Sequence, residues 1–403
     1  MSAEMFAWLV FSILLTLAYI VVMQVYLYGW RQTPEWEIPA DWSPKAKVSV
    51  LIPARNEALH IQNCLTSITS GNYPAHLLEI IVLDDFSEDE TAQVATQFAL
   101  SNPEKAQINV LQLADLLPPE YALQANKKRA IEYGVAQASG EIIVTTDADC
   151  MMGKFWLSMI ISRLKQPTSS APLLLTGPVL FQQERNALQY FQSLDMMGLM
   201  GITAAGIRLG FQRMGNGANL AYYKWVFESV NGYEGNRGTA SGDDMFLIQK
   251  VAAQYPGQVA FLKNEAAAVR THALADVPSF IQQRLRWGTK NAGLPEWPVR
   301  LVLLSVFLFC WSLAANLGAA FSGWGIFLQV FVIQAFAKAL SDWLLLSEMC
   351  RYFRRRELLW HFFTAFLLHT LYIPLVGAGS LFMKNYRWKG RTVAPSQKKN
   401  KVG

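Results

Sequence analysis

The chain has 403 residues, of which 52% are hydrophobic and only 16% charged, with a formal net charge of +5. This is too apolar for an ordinary soluble domain, and the mild basic excess comes without any RNA- or DNA-binding motif, which argues against nucleic acid as a partner. Its 4 cysteines, Cys64, Cys150, Cys310 and Cys350, stand far apart with no CxxC pair, which excludes a disulfide framework and a cysteine zinc site and fits a reducing compartment.

The run from Phe6 to Gly29 carries no charge and is long enough to span a bilayer. It lacks a basic leader and a small-residue cleavage site, so residues 1–30 are expected to be a retained anchor. Arg31 follows, and the bias of basic residues toward the cytoplasm places the amino terminus outside and the following domain inside.

A Pro- and Trp-containing linker (Thr33 to Pro44) leads into a domain over residues 45–293, where short apolar runs alternate with amphipathic ones. Strands are expected at Val48 to Ile52, Glu79 to Leu83, Ile108 to Leu113 and Glu141 to Thr146. Helices are expected after Ile61, from Glu88 to Leu100 and from Lys127 to Ala138. Strands buried on both faces and separated by helices predict an α/β fold with a parallel, doubly wound sheet, which binds ligands at the carboxyl ends of its strands.

Beyond Cys150 the pattern predicts a helix from Phe155 to Leu164, one strand over LLLTGPVLF (Leu173 to Phe181) and a Met-rich helix from Asn186 to Ile207. In that helix Met196, Met197 and Met200 read as core or as a lipid-facing stripe. A last amphipathic helix covers Pro278 to Lys290.

Residues 297–385 form a second membrane region. Leu301 to Ala320 and Trp324 to Leu346 make an out-and-back pair, with Lys338 and Asp342 spaced to pair on one helix face. Leu358 to Met383 is expected to re-enter or lie at the interface, bent at Pro374 and Gly377 to Gly379, which keeps the basic tail, residues 386–403, inside. Arg351 to Arg356 and the basic residues from Lys384 to Lys401 suit anionic lipid head groups.

The chemistry concentrates where strands end. EIIVTT stops at Asp147 and Asp149, and EIIVL, read as the neighbouring strand, stops at Asp84 and Asp85. Paired carboxylates of this kind suit Mg²⁺ or Mn²⁺ holding a diphosphate, and repel one another unless a cation or donors compensate. A third pair, Asp243 and Asp244, follows Ser241 and Gly242; by position alone either carboxylate suits the amino terminus of a helix. Lys127, Lys128 and Arg129 read as a basic helix start, and His272 as a structural residue or a group within reach of a metal or diphosphate.

Five pieces in order, VSVLIPARNE, LDDFSED, NKKRAIEYGVAQASGEIIVTTDADC, SGDDMFL and QRLRW, resemble the family 2 glycosyltransferases, the group with a GT-A nucleotide-sugar fold that includes cellulose, chitin and hyaluronan synthases and ceramide glucosyltransferases. The closing RWKGR (Arg387 to Arg391) resembles the tails of lipid-directed members. The resemblance implies that the loop Pro53 to Glu57 lines a uridine pocket and that Asp85 holds uracil or ribose with Asp84 in support. It brings Lys127 to the nucleotide, with Asn126 where the family has Gly. Asp149 becomes the direct metal ligand, and Asp147 is shared between sugar, ribose and metal. Asp244 matches the general base, beside Asp243 where the family more often has Glu. Gln283, Arg286 and Trp287 match the Gln-x-x-Arg-Trp motif that serves acceptor and diphosphate, and GNGAN (Gly215 to Asn219) resembles the loop shaping the donor-sugar pocket.

The expected protein is thus a membrane-anchored inverting glycosyltransferase of a bacterial inner membrane, with its catalytic domain cytoplasmic. It would use Mg²⁺ or Mn²⁺ and move a sugar from a UDP-sugar to a lipid. A processive polysaccharide synthase and a non-catalytic nucleotide-sugar binder are the alternatives.

Overall fold

A computed structural model describes residues 2–118, 120–121, 127–168, 171–235, 242–291, 297–322, 325–382, 386–388 and 391–393. Asn126, Ser241 and most of the basic tail lie outside the described residues.

The elements begin with α1 (Ala3–Gln32), β1 (Val48–Ala54), α2 (Ile61–Thr69), β2 (Leu78–Asp84), α3 (Thr91–Ser101), β3 (Gln107–Gln112) and α4 (Leu113–Leu116). They continue through α5 (Lys127–Gln137), β4 (Ile142–Thr145), β5 (Met151–Met152), α6 (Trp156–Leu164), β6 (Leu174–Thr176), β7 (Val179–Gln182) and α7 (Ala187–Leu209). Next come β8 (Leu220–Tyr223), α8 (Lys224–Ser229), α9 (Asp243–Gln254), β9 (Val259–Phe261), β10 (Val269–His272) and α10 (Val277–Asn291). The chain closes with α11 (Trp297–Phe321), α12 (Gly325–Tyr352), α13 (Phe362–Phe382), β11 (Tyr386–Trp388) and β12 (Arg391–Val393). These divide into a helical unit (Met1–Thr33, Glu184–Gln212, Ala273–Met383) and an α/β unit (Pro34–Gln183, Arg213–His272, Lys384–Gly403).

The α/β unit is built on a 7-stranded sheet in the order β3-β2-β1-β4-β8-β6-β9. β1, β2, β3 and β4 run parallel; β1, β2 and β4 are buried almost throughout because helices cover the sheet, while β3 at its edge is half-buried. α5 sits so close that a Cβ on Gly134 would lie 2.7 Å from Leu83 Cδ1. Leu51, Leu83, Ile131, Val135 and Ile143 form the core beneath it.

Three expectations change here. The sheet is mixed, because β8 runs antiparallel to both β4 and β6. β1 lies between β2 and β4, so the two strands ending in paired aspartates are not neighbours; in a doubly wound sheet the first strand takes the centre, and the chain then builds outward on either side. LLLTGPVLF is two strands in different sheets: β6 joins the large one, and β7 pairs with β10 in a 3-stranded sheet. Pro178 has no N–H for a ladder, and Gly177 passes Asn219 so closely that a Cβ would lie 2.4 Å from Asn219 Nδ2.

Among the described residues, the helical unit holds four helices long and apolar enough to cross a membrane: Ala3–Gln32, Trp297–Phe321, Gly325–Tyr352 and Arg356–Ser380. α1 meets α7 backbone to backbone, since a Cβ on Gly29 would lie 2.8 Å from Ala205 Cβ. Met196, Met197 and Met200 of α7 are buried, so the stripe is core. Polar side chains join the apolar helices: Asn316 accepts from Trp8 Nε1 at 2.8 Å and donates to Gln334 Oε1 at 2.9 Å, and Gln334 donates to Ser312 Oγ at 3.0 Å. The segment expected to bend at Pro374 and Gly377 to Gly379 is helical throughout, since α13 runs through Pro374. Proline removes a single backbone hydrogen bond, and an apolar segment keeps its remaining backbone groups paired by staying helical.

Candidate active site

Two loops at the carboxyl ends of β1 and β2 knit into one surface. Pro53 lies in register with Leu83, and Asp85 N–H donates to the Ala54 carbonyl at 2.8 Å. Arg55 is the buried clasp: its guanidinium donates to the carbonyls of Asp85 (2.8 Å) and Phe86 (2.6 Å) and to Glu88 Oε1 (2.9 Å). The sequence put Arg55 inside the expected pocket loop but gave no sign of this task. Asn56 adopts a positive φ of 52°, where Asn is tolerated, and its Oδ1 accepts from Glu88 N–H at 2.9 Å. Glu57 and Asp85 are buried. So is Asp84, whose Oδ2 accepts from Ser87 N–H while Oδ1 has no hydrogen-bond partner. Burial pushes the Asp84 carboxyl above its ordinary pKa, against the opposing pull of its Ser87 hydrogen bonds.

The other carboxylates gather around one ammonium. Lys127, at the start of α5, donates to Asp147 Oδ1 at 2.6 Å and stands 3.6 Å from Asp243 Oδ2. Burial works against the Lys127 charge, but Asp147 and Asp243 outweigh it and hold the ammonium's pKa above the ordinary lysine value. Asp243 and Asp244 open α9 in its first turn behind Gly242, whose φ of 82° turns the chain into the helix. Asp244 Oδ2 accepts from Gly217 N–H at 3.2 Å, and the Gly217 carbonyl accepts from Thr145 Oγ1 at 2.7 Å. GNGAN therefore ties the end of β4 to the start of α9. A Cβ on Gly217 would approach Asp243 Oδ2 to 3.0 Å, a close fit that favours glycine there.

Asp149 lies beyond Asp147, and its Oδ2 accepts from Thr271 Oγ1 at 3.2 Å. Ligand atoms of Asp147, Asp149 and Cys150 fall within 4.8 Å of one another. The Cys150 thiol is buried, and burial together with the Asp149 and Asp147 charges drives its pKa well up, so it stays protonated. Two hard carboxylates with no competing thiolate fit Mg²⁺ or Mn²⁺ as a partial ligand set that a diphosphate completes. Thr271 was not foreseen as part of the cluster, because it carries no charge that the sequence would flag, whereas GNGAN was placed by resemblance at the donor-sugar pocket and its backbone touches Asp244 and Thr145. His272 is exposed next to Thr271, with its ring 6.3 Å from that of His60.

Removing the ammonium tests the cluster. Lys127→Met leaves Asp147 and Asp243 facing each other; with Asp147 partly solvated, the cost is about 1–2 kcal/mol, or a fall in Tm of about 3–6 °C in chelator. Millimolar Mn²⁺ is expected to recover most of it in differential scanning fluorimetry, and a deficit indifferent to the cation would count against a metal site here.

Gln283, Arg286 and Trp287 belong to the helical unit, on α10. Gln283 Oε1 is buried without a hydrogen-bond partner. α10 lies directly against α13: a Cβ on Gly288 would lie 2.9 Å from Ser380 Cβ, and one on Gly379 3.0 Å from Leu285 Cδ2.

Residues 49–176 match the family model "Glycosyl transferase family 2", and the fold is GT-A-like. The fold is shared with a mannosyltransferase of Pyrobaculum calidifontis solved with GDP-Man and Mn²⁺, at a TM-score of 0.60 and 18% identity over 90% of this chain and 99% of that one. Among curated relatives, glycosyltransferase AglE of Haloferax volcanii is 35% identical over 29% of this chain and 35% of its own length. The poly-beta-1,6-N-acetyl-D-glucosamine synthase of Staphylococcus epidermidis is 25% identical over 49% of this chain and 45% of its own. The chain thus spans less than half the length of either relative.

Proposed function

We propose that the protein is a membrane-bound inverting glycosyltransferase that moves a sugar from a nucleoside-diphosphate sugar, UDP-linked in our reading, to a lipid acceptor. The α/β unit would face the cytoplasm of a bacterial inner membrane. The observation that carries the reading is the cluster at the end of β4, where Lys127, Asp147, Asp149, Asp243 and Asp244 meet. Asp244 takes the proton of the acceptor hydroxyl as its oxygen bonds to the anomeric carbon, and the bond to the diphosphate breaks with inversion. Asp149 and Asp147 would hold Mg²⁺ or Mn²⁺, which when bound offsets the charge of the leaving diphosphate. Arg286 adds a guanidinium suited to phosphate oxygens, and Trp287 a flat apolar face suited to a sugar. Pro53, Glu57, Asp84 and Asp85 take the nucleoside. A lipid acceptor is favoured because the helix carrying Gln283, Arg286 and Trp287 rests on a helix apolar enough to cross the bilayer.

The relative that makes poly-beta-1,6-N-acetyl-D-glucosamine supports a second reading, a polymer synthase. One assay separates them: purified protein in nanodiscs, a panel of UDP- and GDP-sugars, Mg²⁺ or Mn²⁺, with and without lipid extract, followed by nucleotide release and mass spectrometry. Cation-dependent release with one sugar, coupled to a glycolipid of one or a few added sugars, is the expected result. A ladder of long chains without lipid would establish the synthase, and binding without release the non-catalytic reading.

A further inference from the structure

We propose that a buried ion pair, Asp195 with Arg284, positions Trp287 for the acceptor; this rests on the glycosyltransferase reading above. Arg284 lies inside the Gln-x-x-Arg-Trp stretch at one of its unspecified positions, and Asp195 sits on α7, far away in sequence. Arg284 NH2 reaches Asp195 Oδ2 at 2.8 Å, and both side chains are nearly inaccessible at 4% and 6%. Tyr372 on α13 donates its hydroxyl to Asp195 Oδ1 at 3.3 Å. The pair thus draws α7, α10 and α13 to one point.

Around it stand three aromatic rings. Phe191, Phe280 and Tyr372 meet edge to face with centroids 5.6 to 5.7 Å apart. The Arg284 guanidinium lies over the Phe280 ring at 5.1 Å and over the Trp287 indole at 4.4 Å. Residues 280, 284 and 287 share one face of α10 by helical spacing. One face of the indole is therefore taken by a fixed cation, and a sugar would use the other.

Stability alone does not account for this arrangement. A buried ion pair is usually no more stable than apolar side chains of the same shape. Arg284 Nε makes no hydrogen bond, and neither Arg284 NH2 nor Asp195 Oδ2 makes one of regular geometry across their 2.8 Å contact, so the pair is held by charge and the buried guanidinium costs more. A planar guanidinium does what leucine or lysine cannot: it offers a delocalised charged face to the indole while a nearby carboxylate balances that charge. Asp195 fixes Arg284, Arg284 fixes the indole plane, and Tyr372 ties both to α13. Arg284 and Asp195 act through Trp287 and are positioning residues.

The test is a double-mutant cycle with Arg284→Lys and Trp287→Phe in nanodiscs, reading the acceptor KM and the donor KM separately. Arg284→Lys keeps the charge and loses the stack. It is expected to raise the acceptor KM about tenfold, the scale of a desolvated cation–π contact, and to move the donor KM less than twofold. Combined with Trp287→Phe, it should add little to the effect of Trp287→Phe alone. Additive effects, or equal movement of both KM values, would overturn the proposal. If Arg284→Lys fails to fold, Tyr372→Phe replaces it, with a smaller shift in the same direction. A readout independent of turnover uses 5-fluorotryptophan, with the Trp287 resonance assigned among the chain's 13 tryptophans by Trp287→Phe. That ¹⁹F line should move in Arg284→Lys and broaden in Asp195→Asn. A line unchanged in both variants overturns the positioning role even where wild-type protein transfers sugar. A line that responds in a protein showing no transfer leaves the pair standing and removes the catalytic reading instead.

Discussion

Asp244→Asn is expected to cut transfer by about 10² to 10⁴-fold while nucleotide-sugar binding stays within a few fold, the scale of losing a general base. The substitution is informative because its structural cost is small. Gly242 is the residue that turns the chain into α9, and Asp244 stands inside the first turn, where its Oδ2 accepts from Gly217 N–H. An asparagine carbonyl accepts the same hydrogen bond from Gly217, so the tie between GNGAN and α9 survives; the bond that Asp244 Oδ1 accepts from Met245 N–H at 2.7 Å is lost, at a cost of about 1 kcal/mol and a small fall in Tm. What is lost is basicity: an amide does not take a proton from the acceptor hydroxyl. Asp243→Asn is the comparison, because Asp243 is the more buried carboxylate and the one 3.6 Å from Lys127. It should disturb the lysine and cation requirement more than the chemical step. Isothermal titration with the nucleotide sugar, beside initial rates, checks both variants. If Asp244→Asn keeps full activity, the carboxylate only supports the helix start and loop, and the base lies elsewhere.

How much of this was legible in the sequence depended on whether the signal was local. β1, β2, β3 and β4 announced themselves as apolar runs stopped by turn residues, and their helices as amphipathic stretches of ordinary length, because burial on a parallel sheet writes itself directly into composition. The carboxylates at Asp84, Asp147 and Asp243 were visible for the same reason: charge at the end of an apolar strand or the start of an apolar helix stands out. Strand order was not local. Nothing in EIIVL or EIIVTT says that β1 lies between them, and nothing in LLLTGPVLF announces that its halves join different sheets; both depend on pairing partners far away in the chain. Arg55, Thr271 and Arg284 were missed on similar grounds. Each depends on partners far away in the chain: Arg55 on Asp85, Phe86 and Glu88, Thr271 on Asp149, and Arg284 on Asp195. The pairing of Lys338 with Asp342 lay at the other extreme: four residues apart on one helix, it was readable from spacing alone and is present at 2.5 Å.

That pair carries the second large effect. Lys338→Leu is expected to destabilise the helical unit by about 3–5 kcal/mol, because it strands a carboxylate where water does not compensate it. Lys338 is 0% exposed, and its ammonium donates to Asp342 Oδ2, stands 3.2 Å from His369 Nδ1 and lies over the Phe366 ring at 5.1 Å. Asp342 accepts in addition from the Tyr19 hydroxyl at 2.5 Å. One lysine therefore joins α12 to α13 directly and, through Asp342, to Tyr19 of α1. The double variant Lys338→Leu with Asp342→Leu should regain most of the loss, since two apolar side chains of similar volume need no counter-charge. Thermal unfolding in nanodiscs at several scan rates reads the difference, and a double variant as unstable as the single would show that Asp342 is not left stranded by the loss of the lysine. The activity of the rescued double variant then separates two roles for intramembrane charge. If transfer returns with stability, the pair serves helix assembly alone. If a stable double variant stays inactive, the ion pair takes part in handling the acceptor, as charged groups inside apolar helices are commonly kept for function more than for stability.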